Sequence, residues 1–487
     1  PSKTNSRLTT GGGYSCIIII GKLWCFYMKL EKFKEKNNKQ IGIIIFTVCC
    51  ILLITGVYLY SSFAIYEQDQ NFNVINGTVE DPGDLYFAFY VDDVISKTMP
   101  SKDSGYVLDT EKSSCTNGAT PVLNEDTWSI KVNNLTMTHT KCTLYFKEST
   151  PYDECVSKYG ADSIQCGIIA DVDTEGCPTV NDDGTVEVTA AESENGYLCS
   201  ALDDYGTSYY YRGNVINNYV YFAGYYWRII RINGDGSIRI IYDGTSAHSN
   251  TEASEDRTIG ESRFNEEIMN EEGFISPVGV GYMYGDSYRE NALSSTIKSY
   301  IDNWYESVFL NTEYENYLAD TLFCNDRTLL EGDGVNPLTD HRYRWYYGPW
   351  STDGINYPVL KCSNKADAFT VNESENRNGN LIYPIGLITL DEAVLAGAYE
   401  RSIGTDGTIR SHYLYAGYHY WSLSASYSTS GGGALRVISN LGNITEVGNG
   451  GIGNATGVLY VRPVINLKAD SLKSGDGTMT SPYRTEL

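Results

Sequence analysis

The chain has 487 residues, enough for two or three domains and a sizeable core. Its formal net charge of −25 and its pI near 4.6 argue against nucleic acid as a partner, because affinity for a polyanion comes largely from Lys and Arg releasing phosphate counterions. Tyr is abundant, 41 residues against 14 Phe and 7 Trp, which suits either β-strands or a recognition surface.

Residues 1–27 read as an upstream segment outside the working protein, since Met28 is the first Met with a basic region behind it. Ile41–Tyr60 is a run of twenty residues without a charge, long enough as a helix to cross a bilayer. Lys29, Lys32, Lys34, Lys36 and Lys39 precede it, and Glu67 and Asp69 follow. Residues 28–66 are therefore expected to form a basic cytoplasmic stub and a single membrane helix, with everything beyond about Ser61 outside the cell. Cleavage after Ala64 would release a secreted chain instead, but the apolar run exceeds the roughly 7–15 residues of a signal-peptide core.

Beyond this run lie Cys115, Cys142, Cys155, Cys166, Cys177, Cys199, Cys324 and Cys362. An even number outside the cell points to disulfides, and proximity in sequence favours Cys115–Cys142, Cys155–Cys166, Cys177–Cys199 and Cys324–Cys362 among the many pairings possible. A zinc site is disfavoured, because these cysteines contain no C-x-x-C spacing.

Gly83–Val91, Thr127–Val132 and Thr140–Lys147 alternate apolar and polar residues between turn formers, which predicts a small β-sandwich over residues 67–150. Residues 151–204 are rich in Cys, Asp and Gly with one clear strand, Thr185–Thr189, and read as a disulfide-held connector. Inside it, Asp171, Asp173, Glu175 and Asp182 fall at positions 1, 3, 5 and 12 of an EF-hand-like loop, a weak calcium candidate. Glu at the fifth position, Asp at the twelfth, the intervening Cys177-Pro178 and the lack of helical flanks all depart from the pattern.

Residues 205–470 read as one large α+β domain, followed by a tail over 471–487. Tyr221–Gly244 predicts two strands joined at Asn233-Gly234-Asp235-Gly236, residues that tolerate the positive φ of a tight hairpin. Its alternation, with Ile on both faces, makes it scaffold, and its Arg residues are expected to snorkel or to pair with carboxylates. Ile297, Ile301, Trp304 and Val308 share one face of a helix, and Thr389 with Glu392 forms a capping box that starts another. Tyr413–Leu467 returns to strands broken by Gly and Asn.

Enzyme motifs are poor: G-x-S-x-G, H-E-x-x-H and G-x-x-x-x-G-K-[ST] do not occur, and “GNGGIG” at Gly448–Gly453 opens no helix. The stronger signal is for binding. Tyr418, Tyr420 and Tyr427 lead into a segment holding Asn440 and Asn443, and aromatic faces beside amides and glycines suit sugar or peptide surfaces. These five are the candidate ligand-binding residues.

The set “NYVYFAGYYWRIIRINGDGSIRIIYDG”, “TIKSYIDNWYE”, “LADTLFCNDR”, “YPIGLITLDEAVLAG”, “YHYW” and “VRPVINLK” resembles a family of uncharacterised surface proteins of gut Firmicutes, over most of Gly213–Lys468. Its last third, through “YHYWSLS” and “VRPVINL”, is similar to C-type-lectin-like modules of the formylglycine-generating-enzyme type. The Arg-Gly-Gly-Ser-Trp motif of the catalytic branch does not occur, and Cys324 and Cys362 sit in segments that read as a structural disulfide. The resemblance thus implies a C-type-lectin-like binding scaffold rather than oxidase chemistry. The resulting expectation is a single-pass cell-surface protein, not an enzyme, that recognises a glycan or protein ligand. The alternatives are an extracellular enzyme acting on cell-wall or host glycan and a structural spacer in the envelope.

Overall fold

The computed structural model describes residues 85–486, apart from 126, 136–138, 174, 184, 188–195, 267–276, 335–338, 347–356, 399–411, 430–431 and 446–456. The apolar run Ile41–Tyr60 lies outside the described residues, and no helix among those described is long and apolar enough to cross a membrane. The chain divides between Glu148 and Ser149 into two units.

The described residues of the first unit form seven strands, β1 (Leu85–Val91), β2 (Val94–Ser96), β3 (Tyr106–Leu108), β4 (Ser114–Cys115), β5 (Thr120–Asn124), β6 (Ser129–Asn133) and β7 (Thr140–Glu148). Five of them form a sheet of order β2-β1-β7-β3, with β4 also on β7, while β5 and β6 make a separate hairpin. β1 and β7 run parallel, paired from Leu85↔Thr140 to Val91↔Phe146. The period of two sends Cys142, Leu144 and Phe146 of β7 into one core with Ile130 and Val132 of β6, so the hairpin covers the sheet in a small two-layered unit. The Cys115–Cys142 disulfide ties β4 to β7.

In the second unit the Cys-rich, disulfide-held segment carries two helices in addition to its strands. It opens with the helix Pro151–Tyr159, whose Thr150 and Asp153 form a capping box, followed by the helix Ile164–Ala170. Cys155–Cys166 joins the two helices, Cys177–Cys199 fixes the chain to the next strand, and Cys324–Cys362 closes the fourth pair expected from sequence. That next strand, Gly196–Asp203, is the edge of an eight-stranded sheet that continues through Gly206–Gly213, Tyr225–Ile232, Ile238–Gly244, Val464–Leu467 and Ile385–Gly386. A second sheet of seven strands centres on Tyr420–Thr429. The class is α+β, mostly antiparallel β with few helices, as the sequence predicts.

The hairpin forms where Asn233-Gly234-Asp235-Gly236 demands it: the Asn233 N–H donates to Ser237 O, and Gly236 turns at φ 88°. Ile229, Ile230, Ile232, Ile238, Ile240 and Ile241 are each no more than 1 % exposed, because the sheet is covered on both faces. Its Arg side chains are therefore buried in ion pairs and do not snorkel. Arg231 reaches Asp203 at 2.6 Å and Glu392 at 3.0 Å, and Arg239 also holds Glu392. Both helix expectations hold: Thr296–Val308 is capped by Ser295 and buries Ile297, Ile301 and Tyr305, and Leu390–Leu395 carries both capping-box bonds of Thr389 and Glu392.

Candidate functional site

The tail of the chain folds back onto the large sheet. Tyr219–Phe222 pairs in parallel with Tyr483–Arg484 through Val220↔Tyr483, which brings the last residues beside the turn Asn214–Asn217. Gly477 permits the approach: its φ is 74°, and a Cβ there would collide with the Asn217 carbonyl and the Tyr483 ring. A groove of about 900 Å³ opens between this tail, the helix Ile164–Ala170 and the sheet edge at Gly196–Leu198.

The groove has a buried floor and a polar rim. Ile168, Leu198, Tyr211 and Tyr483 form the floor, while Asp171, Asp173, Tyr197, Ile216, Asn217 and Asp476 stand higher. Tyr211 is 4 % exposed and Tyr483 7 %, yet neither hydroxyl has a hydrogen-bond partner among the described residues. Burial, then the nearby Asp171 and Asp476 carboxylates, push the Tyr483 hydroxyl up to about 12. Burial, then Tyr483 and Asp171, raise Tyr211 well above the usual tyrosine range. Both hydroxyls therefore stay protonated at neutral pH and can donate to a ligand.

Several rim groups are held from behind. Asp173 Oδ2 accepts the Leu198 N–H at 2.7 Å, and Asn214 Oδ1 accepts from Asn250 at 2.8 Å. Asp476 Oδ1 accepts the Thr478 N–H at 3.0 Å and its hydroxyl at 2.7 Å; these bonds, the hydroxyl's first, lower its carboxyl. The Asp171 carboxylate has no hydrogen-bond partner among the described residues. Fixed acceptors and two partnerless hydroxyl donors around a cleft suit a ligand rich in hydroxyls.

The five residues singled out by sequence separate into two groups. Tyr420 is fully buried and donates its hydroxyl to Leu414 O at 2.8 Å, and Tyr427 is 9 % exposed, so neither offers a face to a ligand. Alternation along Tyr420–Thr429 does not expose every second residue, because both faces of this central strand are covered. Tyr418, Asn440 and Asn443 lie together at one end of that sheet, where Tyr420 pairs with Ile438 and Ile438 with Ile444. Asn440 is exposed, and the half-buried Tyr418 ring packs 4.6 Å from that of Tyr460.

The calcium candidate does not assemble. Among the described residues no group of three or more His, Cys, Asp or Glu could hold a metal ion, and Asp173 spends an oxygen on the Leu198 amide instead of converging with Asp171, Glu175 and Asp182. Two of these residues, Asp171 and Asp173, belong to the groove.

One Ser-His-carboxylate cluster resembles catalytic machinery and is built for structure. His248 is 4 % exposed, with Nδ1 at 2.9 Å from Glu252 and Nε2 at 2.8 Å from Asp256, so neither ring nitrogen is open to take the Ser246 proton. Burial alone would raise Asp256, but His248, Thr245 and the Ser246 N–H hold it at about 2. A carboxyl depressed in the folded state stabilises fully above its unfolded value near 3.8 and loses that contribution as pH falls through its folded value. Denaturant midpoints of Asp256→Asn and the parent are thus expected to differ most near neutral pH and to converge between about pH 4 and 2. A difference that is constant with pH would overturn the assignment.

Comparison with known proteins finds no matching family model, no similar curated protein and no similar solved structure.

Proposed function

We propose that this chain is an extracellular binding protein that holds a hydroxyl-rich, glycan-type ligand in the groove lined by Tyr211 and Tyr483. The observation that carries the reading is a pair of largely buried tyrosines whose hydroxyls have no partner among the described residues, lining a cleft whose rim supplies carboxylates, amides and the ring of Tyr197. Four disulfides support an extracellular or secreted setting. Attachment through Ile41–Tyr60 and a C-type-lectin-like character of residues 205–470 belong to the same proposal and rest on the sequence.

A glycan array followed by titration of the best ligand tests the site. Tyr211→Phe and Tyr483→Phe keep the rings and remove one donor each, about 0.5–1.5 kcal/mol apiece, so the double variant is expected to bind roughly tenfold more weakly with an unchanged melting temperature. Tyr418→Ala is expected to bind within about twofold of the parent, well below a tenfold step. The reverse pattern would move recognition to the sheet end at Tyr418, Asn440 and Asn443.

A further inference from the structure

The groove is charged on one side of the ledger only. Asp171, Asp173 and Asp476 line it, and its described lining contains no Lys, Arg or His. Three carboxylates alone would be an ordinary acidic surface. Here they surround two tyrosines that are more than nine-tenths buried and whose hydroxyls have no partner among the described residues.

Resting on the glycan reading above, we infer that the groove selects a sugar bearing a free, protonated amine over its neutral N-acylated or anionic counterparts. An ammonium carries three donors and a positive charge, and the site offers acceptors already arranged for both. Asp171 is the centre of this recognition: its carboxylate is unpaired, and it lies close enough to act on both Tyr211 and Tyr483. Asp476 flanks Tyr483 as well, locked by Thr478 and ionised throughout the physiological range. Asp173 adds charge, with one oxygen committed to the Leu198 amide. A ligand amine placed among these groups gains Coulomb attraction, while the tyrosine hydroxyls donate to the neighbouring sugar oxygens. A carboxylated or phosphorylated sugar would meet three like charges with no cation in the described lining to offset them. N-acylation removes the charge and two of the three donors, leaving the neutral contacts alone.

The test titrates the full chain with glucosamine oligomers, with their N-acetylated equivalents and with uronic-acid oligomers of equal length. Glucosamine oligomers are expected to bind at least about tenfold more tightly than the N-acetylated ones, with the gap narrowing as salt rises, and uronic-acid oligomers to bind not at all. Asp171→Asn and Asp476→Asn, which preserve shape and, at Asp476, the oxygen that caps Thr478, should bring the ratio of amine to N-acetyl affinity to within about twofold of one. Equal affinity for amine and N-acetyl forms would overturn the charge selection and leave the glycan reading standing. A preference that survives both substitutions would place charge recognition outside the groove and overturn the inference. Binding of none of these oligomers, together with an empty glycan array, would overturn both.

Discussion

Asp243→Ala is expected to lower the melting temperature of the second unit by roughly 4–7 °C. Asp243 sits near the end of the strand Ile238–Gly244 with no exposed surface, and its Oδ1 is shared by Arg257 at 2.7 Å and Arg462 at 2.8 Å. Arg228 stands 3.9 Å from Oδ2, the fully buried third cation of the group. These guanidiniums are also scaffolding. Arg462 donates to Tyr242 O and Leu414 O, Arg257 to Tyr413 O and Glu252 O, and Arg228 to Asn218, Asn250 and Val215 O. Burial already pushes Arg228 down to about 10 and lowers Arg462. Removing the carboxylate leaves three buried cations without their shared counter-charge, a loss of about 3–5 kcal/mol for breaking one side of a buried pair. At about 1.4 °C per kcal/mol for a unit of this size, the drop should be plain in a thermal melt. A melt within about 2 °C of the parent would mean that water or a shifted side chain replaces Asp243, and the network would then not be a stability determinant.

Trp227→Ala is the second large effect. Trp227 has no exposed surface, donates its indole N–H to Phe222 O at 3.0 Å, and packs against the rings of Tyr242, Trp304 and Phe309. Truncation would leave a cavity that rigid neighbouring rings and two bulged strands cannot close, at about 3–5 kcal/mol, plus an unpaired carbonyl. Denaturant unfolding should give a lower midpoint with an unchanged slope, and binding per folded molecule should be intact. A variant that keeps its midpoint yet binds nothing would make Trp227 part of the site instead of the scaffold.

What the sequence made legible was governed by short-range rules. The Asn-Gly-Asp-Gly hairpin, the Thr389–Glu392 capping box, the helix face of Ile297 and Ile301 and the four nearest-neighbour disulfides each depend on residues close in the chain, and each appears in the fold. The helices Pro151–Tyr159 and Ile164–Ala170 were harder to see, because each is only two or three turns long and their cysteines suggested an irregular segment. The burial of Tyr420 and Tyr427 depends on layers packed on both faces of one strand, which no periodicity along that strand reports. The groove was least legible of all: Tyr211 and Tyr483 are remote in sequence and meet only because a short parallel strand pair returns the tail to the sheet. No local pattern marks Tyr483, Gly477 or Asp476 as anything but a polar terminus.

The parallel pairing of β1 and β7 governs how the first unit bears load. Leu85 opens β1 and Glu148 closes β7, and these two strands are neighbours over seven residue pairs. Tension applied between Leu85 and Glu148 would therefore draw β1 and β7 past each other along their length. Their hydrogen bonds are strained together in shear instead of opening one at a time like a zip, so rupture must break the ladder almost at once. Survival under such a pull is set by the unfolding rate rather than by equilibrium stability. Between these two points the unit resists as one ladder, and a pull that would unzip an edge hairpin leaves it closed.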